Sequence, residues 1–100
     1  MSIHLVVTMQ LQPGAREAFV AAFRKVLPAV LAEAGCLRYV LCSDSGEGPQ
    51  APRPDTFTLI EEWSGEAELQ AHLASRHMAA YGETVRPLRA AVTLRKLCPL

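Results

Sequence analysis

Residues 3–11 alternate, with Ile3, Leu5, Val7, Met9 and Leu11 on one side and His4, Val6, Thr8 and Gln10 on the other. That period of two predicts a strand with one strongly apolar face. Gln12-Pro13-Gly14 breaks the pattern, and beyond it Phe19, Phe23, Val26, Leu27, Val30, Leu31 and Ala34 recur at helical spacing. Glu17 lies in the first turn of this helix, where the dipole favours negative charge, and Gly35 stands where a C-terminal cap belongs. Pro28 removes one backbone bond from the interior, yet the stripe keeps its phase across it, so one kinked helix is expected. Cys36 to Ser43 reads as a second strand, and 44–55, rich in Gly and Pro, as an exposed, mobile loop. Thr56 to Trp63 alternates again as a third strand. Ser64 is the expected N-cap of a second helix with Glu66 and Glu68 near its start. Leu69, Leu73, His77 and Tyr81 follow at i+4 spacing, with a possible break near Ser75, and Ala90 to Leu97 closes the chain as a last strand.

The order β-α-β-β-α-β implies an α+β, ferredoxin-like fold: a four-stranded antiparallel sheet with both helices on one face. Two helices cannot cover both faces. Val6 against Leu5, Ile60 against Leu59, and Val92 and Leu94 against Leu97 put apolar side chains on both parities. The economical expectation is a homodimer joined through the sheet faces, a dimeric α/β barrel.

Length and composition narrow the class. One hundred residues make a single domain, 1–100, whose folding removes roughly 10,000 Å² from water, enough for one core with little margin. Hydrophobic residues at 50% against 20% charged exclude intrinsic disorder, and a formal net charge of zero provides no field to draw nucleic acid or anionic membrane. No apolar run is long enough to span a bilayer. The first charged residue is Arg16, so the start of the chain lacks the basic leader of a secretory signal, and a cytoplasmic protein with reduced thiols is expected. Cys36 and Cys42, about 20 Å apart along one strand, cannot bond within a chain.

Several segments together resemble the antibiotic biosynthesis monooxygenase family of dimeric α/β barrels: Pro13-Gly14 with Glu17-Ala18-Phe19, Glu33-Ala34-Gly35-Cys36-Leu37 with Tyr39, Phe57 with Glu61 and Trp63, and His72-Leu73-Ala74-Ser75-Arg76-His77. The resemblance implies a homodimer, a pocket between the helices and the sheet of each subunit, and oxidation of phenols or quinols by O₂ with no metal or flavin. It also admits an isomerase of a phosphorylated autoinducer and proteins without known turnover. The founding monooxygenases have a Trp that Trp63 matches, whereas Leu59 and Leu69 stand near their neighbouring polar residues, which points to a different substrate. Haem-degrading relatives carry a ligand His where this chain reads Ala80-Tyr81-Gly82, so haem is not expected.

Oxidation without a cofactor needs a base near neutral pH, an apolar pocket that admits O₂, and donors that hold the substrate anion. His72 and His77 are the candidate bases. His72 shares a helical side with Glu68 and Arg76, while His77 continues the Leu69–Leu73 stripe toward the sheet. The competing reading makes His72 a surface residue and His77 a hydrogen-bonded packing residue. Glu61 is a third candidate catalytic residue, able to orient a His or bind a hydroxyl, against a structural role paired with an Arg. Trp63 and Phe57 are candidate substrate walls and Arg38 a candidate anion contact, with core anchoring and an intersubunit salt bridge as the alternatives for Trp63 and Arg38. Cys36 and Cys42 share Arg38's parity and read as packing residues. A five-residue step turns two histidines about 140° apart on a continuous helix, which argues against a metal site. The expectation is therefore a cofactor-free monooxygenase acting on a small aromatic with O₂, the alternatives being an isomerase of a small polar metabolite or a non-catalytic ligand-binding or stress-response barrel.

Overall fold

Four strands, β1 (Ile3–Leu11), β2 (Cys36–Ser43), β3 (Thr56–Trp63) and β4 (Arg89–Leu97), form one antiparallel sheet in the order β2-β3-β1-β4. All of residues 1–100 are described in this computed structural model. Three helices, α1 (Arg16–Leu31), α2 (Glu66–Leu73) and α3 (Arg76–Val85), lie on one face, and a short 3₁₀ turn at Arg86–Leu88 leads into β4. The architecture is the expected α+β, ferredoxin-like one. No helix is long and apolar enough to cross a membrane.

Register explains the core. Leu5, Val7 and Met9 of β1 stand opposite Glu61, Leu59 and Phe57 of β3, so the apolar parity of both strands meets the helices. Phe19, Phe23, Val26 and Val30 of α1 close over them, with Tyr39, Trp63, Leu69 and Val85 completing the core. Each such side chain contributes about 1.5–3 kcal/mol by leaving water.

Four local features depart from the sequence reading. The α1 helix runs through Pro28 but ends at Leu31, three residues before the end of its apolar stripe. Gly35 then takes a left-handed φ of 79°, and its carbonyl accepts from the Ser64 amide at 2.8 Å. A Cβ at Gly35 would run into the side chains of Glu68 and Ser64, so glycine is required twice over.

The second helix is two helices. Ser75 adopts extended backbone, its Oγ accepts from the Met78 amide, and the same hydroxyl donates to the His72 carbonyl at 2.8 Å. One side chain thus closes α2 and caps α3. Because the phase resets there, Leu73 is turned to solvent at 56% exposure, whereas His72, read alternatively as a surface residue, is buried. The N-cap of α2 is Gly65 rather than Ser64.

A bulge at Leu37 changes the parity of β2. Cys36 pairs with Trp63 and packs against the core, while Arg38 pairs with Glu62 and Cys42 with Thr58 on the opposite face. Cys36 therefore does not share a face with Arg38 and Cys42.

Finally, the helices do not reach β4. Val92 and Leu94 pair with Met9 and Val7, on the helix side of the sheet, yet both are exposed, and Leu97 is exposed on the other side. The edge strand is uncovered on both faces.

Candidate functional site

The β2–β3 pairing sets Cys36 opposite Trp63, so the turn leaving α1 meets the start of α2. This juxtaposition brings Glu33 to the histidines. Its Oε2 accepts from His72 Nδ1 at 2.9 Å and from His77 Nε2 at 2.8 Å; a carboxylate only accepts, so both ring nitrogens donate. The His72 side chain is 1% exposed and that of His77 31%, so Glu33 links a buried ring to one at the surface. Ser75 Oγ lies 3.3 Å from His77 Nε2 and sets its approach. Nε2 of His72 makes no hydrogen bond to protein, and since every fully enclosed side-chain polar atom has a partner, this nitrogen is the part of the ring that keeps contact with solvent.

Aromatic rings enclose His72. Trp63 lies against it at 4.5 Å between centroids, and Tyr39 meets it edge-on at 5.5 Å. Trp63 is wholly buried and donates its indole Nε1–H to Glu61 Oε1 at 2.9 Å. Burial pushes the Glu61 carboxyl above its ordinary value; the Trp63 hydrogen bond and nearby His72 oppose the rise, and Glu33 adds to it. Glu61 is thus a buried acid that fixes Trp63. Burial, then Glu61, also push the Tyr39 phenol well up, so it stays protonated at neutral pH. Burial likewise raises the Cys36 thiol, with Glu33 and Glu61 adding, which disfavours the thiolate a nucleophile needs.

A groove of about 730 Å³ opens between α1 and β2. Phe23, Tyr39 and Phe57 provide aromatic surface, and Arg16 and Arg24 provide positive charge that the Glu17 carboxylate offsets in part. The Arg16 guanidinium stands over the Phe57 ring at 4.8 Å, and Phe23 and Tyr39 are stacked at 5.8 Å. Tyr39 is common to both regions, lining the groove and touching His72. Of the residues singled out from sequence, Phe57 lines the groove; His72, Glu61 and Trp63 cluster behind Tyr39; His77 lines a second cavity of about 270 Å³ between α1 and α3. Arg38 lies on the opposite sheet face, apart from all of them.

The sequence profile of the antibiotic biosynthesis monooxygenase family matches residues 2–84. The chain belongs to this family. It is 37% identical over 86 residues to the Escherichia coli K12 protein named "Probable quinol monooxygenase YgiN", covering 82% of this chain and 83% of that one. PA3566 from Pseudomonas aeruginosa superposes with a TM-score of 0.84 at 28% identity, over 99% of this chain and 94% of its own. Rv0793 from Mycobacterium tuberculosis, at 24% identity, shares the fold with a TM-score of 0.85 over 100% of this chain and 96% of its own.

Within this antibiotic biosynthesis monooxygenase domain, sequence reasoning did not assign a role to Glu33, Arg16 or Arg24. The signal for Glu33 was present: in a β2–β3 hairpin, residues just before Cys36 must meet those just after Trp63. The argument against joint chelation by His72 and His77 rested on a continuous helix and fails at Ser75. Their ring nitrogens and a Glu33 oxygen all lie within 4.8 Å of one another.

Proposed function

We propose that this antibiotic biosynthesis monooxygenase family member is a cytoplasmic oxygenase of a quinol or polyphenol, with O₂ as oxidant and no prosthetic group. Family membership supports monooxygenase chemistry, and the likeness to YgiN supports a quinol. Three unpaired thiols accord with a reducing compartment. The observation that carries the substrate class is the groove. Its volume is in the range of small-molecule sites, its aromatic residues suit a flat ring, and its two guanidiniums, which outnumber the single Glu17 carboxylate, suit the ring's oxyanion. Cations at that position favour ionisation of the phenol. The ionised ring is electron-rich enough to reduce O₂ directly. One oxygen atom then enters a ring carbon as a carbonyl, and the other leaves as water with the phenolic and ring hydrogens, so the substrate supplies every electron that O₂ takes up.

His72 is the proton acceptor in this scheme. Glu33 accepts a hydrogen bond from its Nδ1–H, which selects the tautomer whose Nε2 carries the lone pair. Tyr39 lines the groove and its ring touches that of His72; in the proposed relay its phenol gives up its own proton as it receives the substrate's, so it never ionises. His77 steadies the far side of Glu33, Glu61 and Trp63 form the wall behind, and Phe57 is a substrate contact. Arg38, on the opposite face, is assigned to the subunit interface instead. That interface is a homodimer through the sheet faces, supported by exposed Val40 and Leu97 and by the uncovered edge strand β4.

The test is oxygen uptake by chelator-treated protein with dihydroquinones and polyphenols, beside His72→Ala, Tyr39→Phe and Arg24→Ala. Enzyme-dependent uptake is expected, falling about 10²- to 10⁴-fold without the base, with a raised KM in Arg24→Ala. Wild-type uptake no faster than autoxidation would overturn the oxygenase reading and favour an isomerase or a binding protein.

A further inference from the structure

Glu33, His72 and His77 come from three different elements, yet their donor atoms all lie within 4.8 Å of one another. Two imidazoles and one carboxylate form a donor set suited to divalent first-row transition ions and poorly suited to Mg²⁺ or Ca²⁺, which prefer all-oxygen shells. Three such ligands leave a further position open on a four-coordinate ion. Bonds of about 2.0–2.2 Å at tetrahedral angles place ligand atoms roughly 3.4 Å apart. The two Glu33–His separations are 2.9 and 2.8 Å. The two imidazole nitrogens stand within 4.8 Å of each other, so closing on an ion draws the partly exposed His77 toward His72 by up to roughly 1.4 Å, while Glu33, in the turn after α1, backs away by about half an ångström. An entry path exists as well: His77 is partly exposed and lines the cavity between α1 and α3.

We propose that Glu33, His72 and His77 form a binding site for a divalent transition ion of the Zn²⁺ class, and that filling it switches the enzyme off. The ion takes the two ring positions that now donate to Glu33. For His72 this has a fixed chemical consequence. With Nδ1 on the metal, the remaining ring proton sits on Nε2, and the ring has no lone pair left to accept a proton from substrate. The inhibitory half of the proposal rests on His72 being the base; the binding half does not.

The two halves are separated by measuring binding without substrate. Chelator-treated full-length protein is titrated with CoCl₂ and followed by visible d–d absorption, then back-titrated with ZnCl₂. One Co²⁺ per chain is expected, displaced by Zn²⁺, with paramagnetic shifts on the His72 and His77 imidazole resonances. Glu33→Gln and His77→Ala should each weaken binding by at least the roughly 10- to 100-fold that loss of a supporting group costs. His77 is partly exposed, so its alanine variant is the safer of the two to fold, and unchanged far-ultraviolet circular dichroism confirms that it has. No saturable binding overturns the site. So do affinities unchanged in both variants, or a thiolate charge-transfer band that places the ion on Cys36, Cys42 or Cys98. If Co²⁺ binds as described but Zn²⁺ leaves quinol-dependent oxygen uptake intact, the inhibitory half falls and the binding half stands. If the protein shows no oxygen uptake at all, the oxygenase reading fails while the binding result is untouched.

Discussion

Replacing Glu33 with glutamine (Glu33→Gln) keeps the size of the side chain and one acceptor but removes the charge shared by two histidines. In the wild type, a carboxylate 14% exposed accepts at 2.9 Å from a ring 1% exposed and at 2.8 Å from one 31% exposed. A hydrogen bond to a charged group contributes about 1.5–3 kcal/mol and a neutral one about 0.5–1.5, so the buried His72 bond weakens by about 1–1.5 kcal/mol. Solvent screening limits the His77 bond to a loss of about 0.5 kcal/mol. The sum, about 2 kcal/mol, lowers Tm by roughly 8–15 °C for a chain of this size. Urea denaturation at neutral pH gives the free energy, and a double-mutant cycle with His77→Ala isolates the shared bond, expected at about 0.5 kcal/mol. Quinol-dependent oxygen uptake should fall about 100-fold in the same variant, because His72 loses the partner that fixes its tautomer. Stability within about 0.5 kcal/mol of wild type would refute the reasoning, since the roughly 2 kcal/mol expected stands well clear of the roughly 0.3–0.5 kcal/mol scatter of independent sites.

Glu61→Gln tests the buried acid. A carboxyl raised in the folded state binds more protons folded than unfolded, so wild-type stability relative to the variant should fall as pH rises from about 4.3, the ordinary glutamate value, and level off above the raised one. A pH-independent difference in urea midpoints would show that Glu61 is not held away from its ordinary value. The homodimer predicts light scattering near twice 10.9 kDa, with Leu97→Lys shifting the protein toward monomer; a dilution-stable 10.9 kDa species in the wild type would rule the interface out.

The strands were legible because alternation and turn residues agree along the whole chain. β2 and β3 carry the bounds expected of them, and the helix-facing parity of β1 is the one its Ile3–Leu11 alternation implies. The region around Ser75 was harder to read. A serine within an i+4 stripe is compatible with either a continuous helix or a break, and only its two backbone hydrogen bonds decide between them. His72 and Leu73 exchange inside and outside on that one residue. Similarly, alternation cannot register a bulge, so Cys36 took the wrong face. Glu33 is 39 residues from His72 and 44 from His77, beyond the reach of any local pattern; only the pairing of Cys36 with Trp63 brings them together. The groove arginines were missed for a simpler reason: Arg16 and Arg24 sit on the exposed side of α1, where charge is the ordinary finding.

The loop between β2 and β3 is closed near its base by a bidentate pair, Arg53 Nε and Nη2 donating to Asp44 at 2.8 and 3.0 Å, while the last strand pair of the hairpin is Ser43 with Phe57. Residues enclosed by that clasp can lengthen or shorten without shifting the hairpin's register. Ser43 also borders the aromatic groove. The chain therefore carries a natural insertion point beside its mouth, where evolution or an engineer can graft new segments and vary which molecules are admitted while the scaffold stays as it is.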